Sequence, residues 1–162
     1  MNGELPKRKH PRLKDYDYSL GGAYFITICT NNRRSILSRV VGRGLGPAAI
    51  EMSHYGEIAE QELLSLEQRY PFLTVDAYVI MPNHIHVLFV LQNQTAGASP
   101  RPTISDVVCA YKSLTTRRCQ CGKLFQTSFH DHVIRDQRDY DDIYRYIENN
   151  PLQWEQDELY TA

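Results

Sequence analysis

The sequence predicts an α+β fold: a four-stranded antiparallel sheet carrying two helices, with one further helix added at the C-terminus. Three observations lead there. Strand-like and helix-like segments follow one another in the order β-α-β-β-α-β-α. A turn signal, Met81-Pro82-Asn83, joins two apolar runs as a tight hairpin would. The chain has 162 residues and 42% hydrophobic content, which suits one compact domain with a single core. Residues 1–162 therefore read as one domain, with 1–17 a flexible basic arm.

Each element has its own signal. Pro6 to Lys14 is the most basic stretch and reads as a solvated tail. Tyr24 to Thr30 is rich in aromatic and β-branched residues and reads as the first strand, opened by Gly21-Gly22 and closed by Asn31-Asn32. Ser38 to Ala49 carries GRGLGP and reads as an exposed loop or short hairpin, because the Gly-Lys-Ser/Thr ending of a phosphate loop is missing. Ile50 to Tyr70 reads as an amphipathic helix with Ile58, Leu63, Leu64 and Leu66 as its apolar positions, ended by Pro71. Thr74 to Ile80 and His84 to Leu91 are the hairpin strands, and the apolar run Val87 to Leu91 marks a central strand covered on both faces.

Gln92 to Pro102 is polar and reads as a loop. Thr103 to Cys119 is a second helix, with Thr103 or Ser105 as N-cap and Val107, Val108, Tyr111 and Leu114 inward. Leu124 to Arg135 holds a fourth, irregular strand. Asp136 to Asn150 is the third helix, capped by Asp136 with Asp139 in a capping-box-like position, and Pro151 stops it. This order is that of a ferredoxin-like or RRM-like sandwich with an extra C-terminal helix.

Composition excludes several classes. The net charge of −1 does not mark a globally basic nucleic-acid binder, although local patches remain open. No signal peptide and no membrane-length apolar run is present, so the expectation is a cytoplasmic protein with reduced thiols and no membrane partner. Of the four cysteines, Cys119 and Cys121 stand closest, but no second pair lies at zinc-knuckle spacing.

His84-Ile85-His86 is the sharpest chemical feature. Residues two apart on a strand point to one face, so both imidazoles project together with Ile85 behind them. Two neutral imidazoles can share one divalent ion, but two ligands make an incomplete site. A pair of histidines with ordinary hydrogen-bond partners near a strand end is the competing reading. The third helix offers more. Tyr146 and Asn150 are four apart and share a helical face. An Asn carbonyl oxygen suits Mg2+ or Mn2+, and a tyrosine beside such an ion can attack a polarised phosphorus. Tyr140, Ile143, Tyr144 and Ile147 read instead as an apolar face packed on the sheet. Lys112, Arg117, Arg118 and Arg135 are candidate DNA-phosphate contacts, and a solvated surface accounts for them equally well.

Met81-Pro82-Asn83-His84-Ile85-His86-Val87-Leu88 resembles the HUH motif of the single-tyrosine transposases. Tyr146-Ile147-Glu148-Asn149-Asn150-Pro151 resembles the tyrosine helix of that group, particularly its REP-associated members. Tyr111-Lys112-Ser113, Phe129 to Arg135 and Gly22-Ala23-Tyr24-Phe25 with Thr27 also look like family segments, so the similarity spans roughly Tyr18 to Trp154.

The resemblance implies that 1–162 is one HUH endonuclease domain acting as a transposase on single-stranded DNA, next to a hairpin. It implies a divalent ion, Mg2+ or Mn2+, held by His84, His86 and Asn150, with Asn149 as the alternative third ligand. It implies Tyr146 as the nucleophile that forms a 5′-phosphotyrosine and leaves a free 3′-hydroxyl. Relatives include monomers and dimers with exchanged helices, so a homodimer is one expectation. His130-Asp131-His132 is a second HxH with a charged residue in the middle, and reads as structural or as support for the site.

Three other functions compete. A non-catalytic RRM-like nucleic-acid-binding module would stack bases on strand aromatics such as Tyr78 and Phe89, but the RNP string is missing. A histidine-triad hydrolase needs a third alternating histidine where Leu88 stands. A domesticated relative acting only in protein interactions has no reason to keep His84, His86, Tyr146 and Asn150 together.

Overall fold

The computed structural model describes residues 21–42, 48–94, 97 and 99–161. The basic arm at 1–17 and the middle of the glycine-rich segment, 43–47, lie outside the described residues. The main sheet has four antiparallel strands in the order β4-β5-β1-β6, where β1 is Gly22–Cys29, β4 is Leu73–Ile80, β5 is His84–Leu91 and β6 is His130–Val133. A separate ribbon pairs β2 (Ser38–Val41) with β3 (Ala49–Met52). Three α-helices, α1 (His54–Arg69), α2 (Ile104–Cys119) and α3 (Gln137–Asn149), complete the described residues together with short 3-10 turns at Asn31–Arg33 and Trp154–Gln156. The expected α+β class and antiparallel four-stranded sheet are those observed.

Side-chain alternation divides the sheet into two faces. On one, Tyr24, Ile26 and Ile28 of β1 and Ile85, Val87 and Phe89 of β5 pack against Ile58, Leu63 and Leu66 of α1 and Val107, Val108 and Tyr111 of α2. These side chains are almost wholly buried, and they form the main core. On the other face, Val79, Met81 and Leu88 meet Ile147 of α3 and Trp154 in a smaller cluster, with Tyr140, Ile143 and Tyr144 packed at its edge. Tyr140 and Tyr144 thus take the packing role expected of them, their rings stacked 6.2 Å apart. Ile147 is the only fully buried residue of α3. This helix is therefore held to the sheet by much less apolar surface than α1 or α2.

Two boundaries and one apolar position differ from expectation. The first helix starts at His54 and not at Ile50, because 49–52 pair with β2 and Ser53 takes the N-cap, accepting from the Gly56 N–H at 3.1 Å. The strands on either side of the glycine-rich segment pair as in a hairpin, one of the two readings offered. On α1, Leu64 is 47% exposed and not part of the apolar face, since its position falls one residue outside the Leu63–Leu66 stripe. The third helix ends at Asn149, but Asn150 keeps helical dihedrals (φ −57, ψ −40) although it precedes proline. The chain goes on turning there, with Leu152 and Gln153 N–H groups bonded back to the Asn149 carbonyl at 3.1 and 3.3 Å. That turn brings the C-terminal segment back across the sheet.

The α1 start and the hairpin loop before β5 are linked. Leu37 donates its N–H to the Pro82 carbonyl at 3.0 Å and accepts from the Ser53 N–H at 2.9 Å. Gly56 lies against the same Leu37 carbonyl so closely that a Cβ there would collide with it. Glycine is needed for this close approach. Backbone contacts of this kind fix the loop that immediately precedes His84.

Candidate active site

The floor of the site is a row of side chains crossing three strands. His86 of β5 pairs with Thr27 of β1, and Thr27 pairs with His130 of β6. Directly paired residues of antiparallel strands point to the same face. His84 stands two residues before His86 on that face, and the two rings meet edge to face with centroids 4.5 Å apart. Ile85 points the other way into the main core. Both histidines are buried, at 0% and 3% exposure.

Hydrogen bonding sets the tautomers. Asn83 donates its side-chain NH2 to the Leu159 carbonyl at 2.6 Å, which turns its Oδ1 toward His84 Nδ1 at 2.8 Å. An amide oxygen only accepts, so His84 carries its proton on Nδ1. Its Nε2 is then a bare lone pair. His86 Nδ1 lies 2.8 Å from Thr27 Oγ1, a hydroxyl able to accept the same kind of proton. Among the described residues, His84 Nε2, His86 Nε2 and Asn150 Oδ1 are buried without a hydrogen-bond partner. Buried polar atoms are rarely left so.

Asp157 supplies what the imidazoles lack. His84, His86 and Asp157 offer one ligand atom each, all within 4.8 Å of one another. That is close to the spread of donors around one ion with bonds of about 2.1 Å. Asp157 Oδ2 lies 3.8 Å from His84 Nε2. It also accepts from Asn150 Nδ2 at 3.0 Å and stands 3.5 Å from the Tyr146 hydroxyl. Tyr146 leans over His86 with ring centroids 5.3 Å apart and meets Phe25 edge-on at 6.0 Å. His86, Asp157, Asn150, Tyr146 and Phe25 line an open cleft of about 750 Å³, together with Thr27, Arg33, His130, Gln153, Gln156 and Glu158, and His84 lies buried beside it.

Electrostatics follow from burial. Removal from water pushes the His84 pKa down to about 4, against the opposing pull of the Asp157 charge. His86 is held well below the ordinary 6.5, first by burial and then by His84 beside it. Both rings are thus neutral at physiological pH, the form that binds metal. The Tyr146 phenol is pushed above its ordinary value, first by burial and next by the Asp157 charge. Without a cation nearby, that oxygen holds its proton.

The structure brings His84, His86, Tyr146 and Asn150 into one site. Asn149 is exposed and does not line the cleft. The remaining basic residues lie elsewhere. Lys112 donates to the Thr127 carbonyl at 2.8 Å, and Arg118 pairs with Glu62 at 2.9 Å, both on the α2 layer beneath the sheet. Arg117 and Arg135 are exposed. His132 is tied to Asp139 at 2.8 Å, so it anchors the start of α3, while His130 reaches the cleft. Asp139 therefore accepts from His132 and from the Arg135 N–H and does not close a capping box onto Asp136. Phe89 is 1% exposed under the helices and Tyr78 is bonded to Glu60, so neither offers a base-stacking platform of RRM type. Among the described residues, no helix is long and apolar enough to cross a membrane.

Asp157, Thr27 and Arg33 escaped the sequence. Thr27 was legible in principle, because two paired strands with known register put it opposite His86. Asp157 was not, since it is one of several acidic residues in a segment without periodicity.

Comparison with known proteins supplies the family. No family model matches the chain. A Haemophilus influenzae protein described as uncharacterized is 30% identical over 178 residues, covering 98% of this chain and 96% of its own. The REP-associated tyrosine transposase of Escherichia coli is 25% identical over 135 residues, covering 83% of this chain and 69% of its own. The solved structure of a REP-associated tyrosine transposase bound to a REP hairpin superposes with a TM-score of 0.65 at 22% identity, covering 88% of this chain and 73% of that one. A relative spanning nearly the whole length, a shared fold and the MPNHIH and YIENNP segments at one site lead to one conclusion: the chain is related to the REP-associated tyrosine transposases of the IS200-like family.

Proposed function

We propose that this chain cuts and rejoins single-stranded DNA through a covalent bond to Tyr146, with a divalent ion held by His84, His86 and Asp157. The observation that carries the reading is a pair of buried, unpartnered Nε2 atoms beside Asp157, with the His86 ring against Tyr146 in an open cleft. Asn150 donates to Asp157 and steadies its carboxylate. Its free Oδ1 is available as a further donor, which keeps it in the ligand set inferred from the helix. Imidazole nitrogens beside a carboxylate suit Mn2+ better than Mg2+, which prefers oxygen throughout.

When bound, such an ion supplies positive charge that polarises a phosphodiester and favours an ionised phenol. The residues do the rest. His84 and His86 stay neutral because they are buried, and Asn83 and Thr27 hold their rings in place. Tyr146, packed against Phe25 and His86, presents its oxygen to the phosphorus. The Tyr146 oxygen forms a bond to phosphorus, the bond to the 3′ oxygen breaks, and that oxygen takes up a proton. The phenol proton passes to solvent or to Asp157, the nearest carboxylate. The ester bond is conserved in the protein–DNA link, so the free 3′-hydroxyl of the same or another strand can reverse the step without ATP. The solved relative was bound to a REP hairpin, which supports a hairpin beside the cleaved strand. Lys112, Arg117, Arg118 and Arg135 would serve such a ligand only where it extends beyond the cleft.

The test is incubation with single-stranded hairpin DNA and Mn2+, followed by a denaturing gel. A covalent adduct should form with the unaltered chain and with Tyr140→Phe or Tyr144→Phe, and not with Tyr146→Phe. A nucleotide mass mapped to any residue other than Tyr146 would overturn the assignment.

A further inference from the structure

Among the described residues, the cleft contains one Lys or Arg side chain, and the chemistry above does not use it. That side chain is Arg33. It faces two acidic residues there, Asp157 and Glu158, yet among the described residues its guanidinium makes no hydrogen bond or ion pair. Its neighbour is used quite differently. Arg34 donates from its guanidinium to the Lys123 carbonyl at 3.0 Å, and so fastens the turn to the segment before β6. Of two adjacent arginines, one holds the turn and the other is left free in the cleft.

The backbone at this turn is strained. Asn32 and Arg33 have φ of 56 and 51, in the left-handed region. Asn tolerates that region, but a residue such as Arg rarely adopts it. The turn holds it in place. Arg33 donates its N–H to the Thr30 carbonyl at 3.1 Å, Asn31 donates to the Leu124 carbonyl at 2.8 Å, and Thr30 donates its N–H to the Asn83 carbonyl at 2.9 Å. The same Thr30 donates its hydroxyl to the Arg34 carbonyl at 2.8 Å. Arg33 is thus mounted on the residue, Asn83, that orients His84. Its position relative to the imidazole pair is set through two short backbone links.

Charge shows what Arg33 is for. Asp157 and Glu158 against Arg33 leave the bare cleft unfavourable to an anion. A divalent ion reverses the sign, and Arg33 adds a further permanent charge with a planar fork of donors suited to phosphate oxygens. We propose that Arg33 contacts the DNA backbone in the cleft and seats the phosphodiester at or beside the reacting position. This rests on the reading that the cleft takes single-stranded DNA, and it adds a residue and a contact to that reading.

The experiment compares the unaltered chain with Arg33→Gln and Arg33→Lys, using a fluorescent single-stranded oligonucleotide carrying the hairpin, with Mn2+ present, across a salt series. Loss of one phosphate contact on a single strand should lower the slope of log K against log salt by about 0.7. Affinity of Arg33→Gln should fall about tenfold, as for one charged hydrogen-bonded contact. Arg33→Lys should keep the slope while binding more weakly. Mn2+ affinity, measured without DNA, should not fall in either variant, because Arg33 is a like charge beside the ion. Arg34→Gln should lower thermal stability and leave the slope alone. An unchanged slope and affinity in Arg33→Gln, or an equal loss of slope in Arg34→Gln, overturns the proposal. If the unaltered chain binds the oligonucleotide but forms no adduct, the cleavage reading fails and Arg33 is still judged by the slope. Absence of any binding overturns both.

Discussion

Thr27→Val isolates the contribution of one hydroxyl to the metal site. Valine keeps the β-branched shape that suits β1, and position 27 is 8% exposed, so water cannot replace the lost oxygen freely. The hydroxyl that lay 2.8 Å from His86 Nδ1 is gone. Two outcomes then compete. The ring keeps its proton on Nδ1 and leaves a buried donor unsatisfied, at about 1–3 kcal/mol. Or the proton moves to Nε2, and the nitrogen facing the cleft no longer has a lone pair for an ion. Both routes weaken metal binding, and partners of this kind typically contribute 10–100-fold in affinity, or about 1.4–2.7 kcal/mol. Calorimetric titration with Mn2+ reads this directly, with circular dichroism to confirm the fold. Unchanged affinity in a folded Thr27→Val protein would refute the argument that Thr27 sets the His86 tautomer.

Two other predictions concern the same groups. Asp157→Ala should lower Mn2+ affinity at least as far as Asn150→Ala does; an affinity equal to that of the unaltered chain would return the third-ligand role to Asn150. Metal-free stability should also depend on pH through the buried imidazoles. His84 is depressed from 6.5 to about 4, so its stabilising contribution is complete above 6.5 and is lost as pH falls toward 4. Urea unfolding in chelator should show this loss, and His84→Gln should flatten the dependence in that window; the same slope in the variant would show that other groups cause it.

Much of the fold was legible because it is written in periodicities. The unbroken apolar run Val87 to Leu91 announced a strand with two covered faces, and β5 is indeed an inner strand of the sheet. Thr103, one of the two N-cap candidates, caps α2 and does so reciprocally with Asp106. Ile50 misled because its apolar side chain fits a helix pattern as well as a strand. Only its partner across the ribbon, Val40, decides between them. Local propensity could not see that pairing, which is a contact between segments.

The site divides along the same line. His84, His86, Tyr146 and Asn150 were found because each pair sits at a spacing that one strand or one helix converts into a shared face. Thr27, Asp157 and Arg33 join them only through contacts between segments. Asp157 depends on Asn150 keeping helical dihedrals and on Asn149 accepting the next turns, which fold the tail back over His84. Arg33 depends on a left-handed turn that no glycine marks. Local spacing therefore identified the groups that could bind an ion and attack phosphorus. The residues that hold them, complete the ligand set and carry the free positive charge came from the ends of elements. There the chain leaves its regular pattern, and position is set by what it meets.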